Sequence, residues 1–309
     1  MLISEINVTT SDLTEILQIN YILRSQNLVK IANFIESDII NDSARLIPLL
    51  PLIWEEGPFN TISRVSINHT ITEDKRNKRL EKIQDIKYPP SRISKNLRYN
   101  RCSFKGQSIF YGGFGDIFAL VENKPKKGDL ITISKWKIKP GLNICYVPVF
   151  QSINIVESSP AFKNEWEAYN KQLLKLNNVN RTAIETIYGL ISYFFTRKVN
   201  DNIEYIFSSY FANKFLNSSI QKIEAIYYPS VENNLLTQNI AISPEIFDLK
   251  FDFIQAREML VLSCDKNKGG WISQELSIAE NTDNDLLIWE TKLDNISITK
   301  LKAEFDFEL

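Results

Sequence analysis

Five polar residues stand out by type and setting: Arg64, Arg101, Tyr111, Glu122 and Ser230. Their local text is strand-like or turn-like: Ile62-Ser63-Arg64-Val65, Asn100-Arg101-Cys102-Ser103, Gln107-Ser108-Ile109-Phe110-Tyr111-Gly112-Gly113, Ala119-Leu120-Val121-Glu122 and Ala225-Ile226-Tyr227-Tyr228-Pro229-Ser230. Residues so widely spaced can act together only in a folded pocket. A guanidinium recognises phosphate or carboxylate through a planar, bidentate fork. A carboxylate stabilises positive charge that develops in a transition state, while phenol and hydroxyl groups add hydrogen bonds.

Other chemistries find little support. His69 is the only histidine and sits in Asn-His-Thr text, and nothing resembles a nucleophile elbow, so a Ser-His-Asp triad is not expected. There is no GxxxxGK[ST] loop, and Gly112-Gly113-Phe114-Gly115 lacks the GxGxxG spacing that opens a dinucleotide-binding helix. No HExxH or EF-hand pattern appears, and Cys102, Cys145 and Cys264 are far apart with no CxxC pair; neither a metal nor a disulfide framework is expected.

Read in order, Arg64, Arg101, Tyr111, Glu122 and Ser230 resemble the RES-domain family, named for an arginine, a glutamate and a serine. The resemblance spans roughly residues 45 to 262 and is strongest over 99–122 and 223–244. It implies kinship with ADP-ribosyltransferase toxins, a split-sheet core, NAD+ as substrate and an antitoxin as partner. On that reading Glu122 supports the oxocarbenium-like ribose as nicotinamide leaves, a state familiar from glycoside hydrolysis. Arg64 and Arg101 bind pyrophosphate, Tyr111 stacks on nicotinamide or bonds a ribose hydroxyl, and Ser230 binds ribose or phosphate. Asn239 resembles the family's asparagine before its next strand, where its amide orients the serine loop, and Tyr205 matches an aromatic often found at that place, with two roles open to it, packing the helix at 204–216, which is favoured, or lining the pocket. One departure is Cys102-Ser103 after Arg101, where the family commonly has an asparagine that steers the second substrate. The acceptor is left open among phosphate, water and a macromolecule. Phosphate would make the protein an NAD+ phosphorylase and water a glycohydrolase; the alternatives are an ADP-ribosyltransferase or a binding module without turnover.

The elements that must position these residues are read from period and punctuation. Apolar positions at helical spacing over 11–40 predict two short helices, and Pro48, Pro51, Gly57 and Pro58 mark 47–60 as a connector. A strand is expected at 61–67, then a long irregular segment to about Tyr99, a strand at 107–111 and a turn at 112–115. The six residues 117–122 fit a strand or the first turn of a helix equally. Residues 129–136 and 143–149 read as paired strands around Pro140-Gly141. Helices are expected from Phe162 to about Lys198, with a break near Asn177–Asn180, and over 204–216. Strands follow at 223–228, 239–243, 271–278 and 286–292, the last two joined by a turn at 281–285. The expected class is α+β: a mixed or antiparallel split sheet with surrounding helices and a helical N-terminal region. The division predicted is 1–60, a catalytic domain over 61–262 and a β-type extension over 263–309.

The 309 residues suffice for a substantial core. The first dozen residues lack a basic start and apolar run, and Ala183–Phe195 is interrupted by Glu185, Thr186, Tyr188 and Ser192, so a cytoplasmic protein with no membrane partner is expected. Net charge is −1, yet Lys75–Lys105 holds eleven Lys or Arg against Glu81 and Asp85 alone. Such a stretch suits nucleic acid, an acidic partner or phosphates entering a pocket. Homo-oligomerisation is left open.

Overall fold

A computed structural model describes residues 9–11, 13–14, 16–18, 60–142, 144–149, 163–217, 222–232, 234–235, 237–265 and 270–309. Residues 10–18 are helical where described; the second expected N-terminal helix and the connector up to 59 lie outside the described residues. The described strands are β1 (Thr61–Ile67), β2 (Phe110–Gly113), β3 (Leu130–Ile138), β4 (Tyr146–Pro148), β5 (Ala225–Pro229), β6 (Gln238–Ile242), β7 (Phe251–Asp265), β8 (Gly270–Asp283) and β9 (Leu286–Thr291). From residue 60 onward the helices are α1 (Asn68–Ile71), α2 (Ile83–Lys87), α3 (Ser91–Ser94), α4 (Asp116–Asn123), α5 (Lys163–Leu173), α6 (Asn178–Thr196), α7 (Ile206–Leu216), α8 (Pro244–Lys250) and α9 (Asn295–Glu304). The architecture is mixed α+β, a multi-strand sheet with helices around it.

The chain divides into two compact units. In the described residues one, here the sheet unit, takes 60–97, 106–142 and 239–309, and the other, the helical unit, takes 98–105 and 144–238.

The sheet unit runs β6-β2-β1-β3-β7-β8-β9 with every neighbour antiparallel. Alternation along the strands sends successive side chains to opposite faces. Val65, Ile131, Ile133 and Val261 form one buried cluster with Leu120 of α4 packed against it. The next residues along, Leu130 and Leu260, join Leu276, Phe305 and Phe307 in a second cluster. Around α8, Phe247 stacks on Phe110 at 4.1 Å and meets Trp136 edge-on at 5.0 Å. The β8–β9 turn falls on Asn284 and Asp285, both left-handed at φ 48° and 68°, as a two-residue hairpin requires.

Three sequence expectations are corrected here. The strand read at 107–111 with a turn at 112–115 is β2, Phe110–Gly113: Gly112 and Gly113 belong to the strand, paired with Ile240 and Asn239 of β6, and only Phe114 and Gly115 bend. The segments 129–136 and 143–149 do not pair with each other: β3 lies between β1 and β7, while β4 runs parallel to β5. The stretch read as irregular contains the short helices α1, α2 and α3, each held by turn hydrogen bonds too local to leave a periodic apolar pattern.

In the helical unit, α6 is capped by Asn177, whose side chain accepts from the Asn180 N–H at 2.9 Å, and it buries Ile184, Ile187, Ile191, Phe194 and Phe195. A capping box at Asp201 and Glu204 opens a short turn, Asn202–Tyr205, that leads into α7. Because the Asp201 carboxylate satisfies an otherwise orphaned N–H, Asp201→Ala is expected to cost about 1 kcal/mol in chemical denaturation.

Candidate functional site

Within the sheet unit, the helix α4 carries Glu122 and is fixed at both ends. It starts at Gly115, whose φ of 106° and ψ of 148° are open essentially to glycine alone. Asp116, the first helical residue, accepts from the Ser63 hydroxyl of β1 at 2.8 Å and pairs with Arg257 of β7, which also approaches Glu275 at 3.5 Å. At the far end Lys124 adopts a left-handed conformation and its N–H closes on the Leu120 carbonyl. Asn239 of β6 donates its side-chain N–H to Glu122 Oε1 at 2.8 Å. Ser63, Gly113 and Asn239 are directly opposed on β1, β2 and β6, so one row across three strands holds α4 from beneath.

Arg64 follows Ser63 and turns elsewhere: its guanidinium lies 5.9 Å from the Phe110 ring centre, and Nη1 approaches the Tyr111 carbonyl at 3.4 Å. That carbonyl is reachable because β1 and β2 share a single paired rung, Ser63 with Gly113. Nε is buried without a hydrogen-bond partner, and none of the described carboxylates pairs with this cation. Burial pushes its pKa down from 12.5 to about 10, with the Tyr111 side chain acting the other way, so it stays charged at neutral pH. No hydrogen bond or ion pair joins Arg64 to Glu122. Gly112 matters here, since a Cβ would lie 2.6 Å from the Phe110 ring and 3.3 Å from the Ser63 carbonyl. Gly112→Ala is therefore expected to lose roughly 1–3 kcal/mol of stability by overpacking, measurable as a lower urea midpoint.

In the helical unit, Arg101 is 7% exposed and engaged. Its Nη1 donates to the Phe195 carbonyl at 2.5 Å and the Phe194 carbonyl at 3.3 Å, at the negative end of α6, and its guanidinium sits 5.0 Å from the Tyr205 ring centre. Ser230 is 1% exposed. Its N–H donates to the Thr237 carbonyl and its own carbonyl accepts from the Leu235 N–H, both at 2.7 Å, which closes the turn after β5.

The structure thus joins Glu122 with Asn239, Arg64 with Tyr111, and Arg101 with Tyr205. The Asn239 amide serves the glutamate, where the sequence reading gave it to the serine loop. Sequence reasoning missed Ser63, Asp116 and Arg257, the set that fixes α4. The one local signal was Gly115-Asp116, a plausible helix start; the partners on β1 and β7 are remote in sequence. Among the described residues no cluster of three or more His, Cys, Asp or Glu side chains is placed to hold a metal, and no helix is long and apolar enough to cross a membrane.

No protein-family model matches the chain, and no curated protein matches it significantly.

Proposed function

We propose that the protein binds NAD+ and cleaves the bond between nicotinamide and ribose, on a core of the split-sheet ADP-ribosyltransferase kind. The observation that carries this is Glu122 at the end of a doubly fixed helix, its carboxylate oriented by the Asn239 amide at 2.8 Å. As the bond stretches, the electron pair leaves with nicotinamide, which departs neutral, and the carboxylate stabilises the positive ribose. The acceptor oxygen then bonds to the anomeric carbon and gives up its proton. Arg64, a half-buried cation with no carboxylate of its own, suits the pyrophosphate. The single rung between β1 and β2 supports the split-sheet reading. Phosphate as acceptor makes the reaction a phosphorolysis and water makes it a hydrolysis. Both deplete NAD+, which calls for a restraining antitoxin.

A second reading, a nucleotide-binding module without turnover, is favoured by Arg101: its guanidinium is committed to α6 carbonyls and Tyr205, which leaves Arg64 alone for phosphate. Expression in cells separates the two. Wild-type protein is expected to lower cellular NAD+ and arrest growth, and Glu122→Gln at equal abundance to do neither; steady NAD+ alongside folded wild-type protein would favour the module.

A further inference from the structure

Strand β1 carries two buried polar atoms that have no hydrogen-bond partner among the described residues, Arg64 Nε and Ser66 Oγ. Buried polar groups are nearly always paired, so two orphans on one strand call for a reason. Alternation puts Arg64 and Ser66 on the same face, with Cα atoms about 7 Å apart. The Arg64 side chain also runs toward Ser66. Counting on from the Ser63–Gly113 rung, Tyr111 and Phe110 come level with Val65 and Ser66, and it is the Tyr111 carbonyl and the Phe110 ring that the guanidinium meets. The hydroxyls across from the pair are already committed. Ser134, opposite Arg64 on β3, donates to the Ile86 carbonyl at 3.0 Å and accepts from Trp136 Nε1 at 2.9 Å. Thr132, opposite Ser66, donates to Asn68 Oδ1 at 2.9 Å.

The two orphans are complementary, since a guanidinium Nε only donates and a serine oxygen can accept. We propose that Ser66 is a positioning residue for Arg64, its hydroxyl accepting the Nε–H when Arg64 holds the diphosphate of the nucleotide. The inference rests on the NAD+-binding reading and on Arg64 as its phosphate contact. A guanidinium tethered at Nε presents both Nη groups side by side, the planar fork that takes phosphate oxygens in bidentate fashion. The bond from Nη1 to the Tyr111 carbonyl, at 3.4 Å, is too long to hold that orientation by itself, and it occupies one arm of the fork. Ser66 is 3% exposed, so its hydroxyl reaches the ligand only through Arg64. A hydroxyl buried without a partner also costs stability, and its removal relieves that cost. Binding and stability should therefore respond to Ser66 in opposite directions.

The test is calorimetric titration of the full chain with ADP-ribose, which carries the diphosphate and is not cleaved at the nicotinamide bond, alongside urea unfolding. Ser66→Ala is expected to unfold at the urea midpoint of the wild type or above it, and to raise the dissociation constant for ADP-ribose about tenfold, the scale of one hydrogen bond to a charged group. Arg64→Lys keeps the charge and loses the Nε–H, so adding Ser66→Ala to it should weaken binding no further. Equal affinity of Ser66→Ala and wild type, or the same tenfold loss in the Arg64→Lys background, would overturn the proposal and leave the NAD+ reading standing. A folded wild type that binds no ADP-ribose would overturn both. Binding that depends on Ser66 in a protein that releases no nicotinamide would support the inference under the module reading.

Discussion

Glu122→Gln is expected to slow nicotinamide release from NAD+ by about a hundred- to a thousandfold, the scale seen when one preorganised electrostatic group is removed from a transition state. Glutamine keeps the size and one carbonyl oxygen, so the hydrogen bond from the Asn239 amide survives and α4 stays in place. What disappears is the negative charge that opposes the growing charge on ribose. The loss should appear in kcat with KM little changed, because the charge develops only as the bond breaks. Asn239→Ala tests the same arrangement from the other side: it leaves the carboxylate and frees its orientation, so a smaller loss in kcat is expected than for Glu122→Gln.

The largest expected effect on stability is at Arg79. Removal of this cation leaves the Glu258 carboxylate, 0% exposed, buried without its partner, a change that typically costs about 3–5 kcal/mol. Arg79→Met should lower the urea midpoint accordingly. The pH dependence follows from the direction of the Glu258 shift, which is upward because burial outweighs Arg79 and Ser277. A folded-state pKa above the unfolded 4.5 means that the bound proton favours the fold. That contribution is complete below the unfolded pKa and is lost as pH rises through the folded one. Loss of Arg79 raises the folded value further, so the deficit of the variant should widen from mildly acidic to mildly alkaline solution. Pairing Arg79→Met with Glu258→Leu should restore most of the loss, since two apolar groups replace a desolvated pair. A single variant as stable as the wild type at alkaline pH would show that the pair contributes nothing.

Elements with their own punctuation were readable in the sequence. Strand β1, the long α6 after its Asn177 cap and the β8–β9 hairpin matched their expected positions closely, because alternation, capping and turn residues are local. The period could not decide α4: six residues are less than two turns, and the helix is established by Gly115 and by ties to Ser63, Arg257 and Asn239. Strand β7 went unread because Arg257 and Glu258 interrupt its apolar text, and both are satisfied by partners far away, at Asp116 and Arg79. The partners of β3 and β4 were misjudged for a similar reason: Pro140-Gly141 has the look of a hairpin turn, but pairing is decided by which strands can cover which face. At the candidate site, residue type indicated Arg64 and Arg101 alike. Only the structure separates a cation with an orphaned nitrogen from one that holds the end of a helix.

The most direct test of the catalytic claim is to incubate purified protein with NAD+, with and without phosphate, and to quantify nicotinamide and the ADP-ribose products beside Glu122→Gln. The account predicts nicotinamide release by the wild type and near-complete loss in the variant, with the phosphate dependence naming the acceptor. Equal release by both proteins, or none by a folded wild type even with cell extract supplied as acceptor, would contradict it.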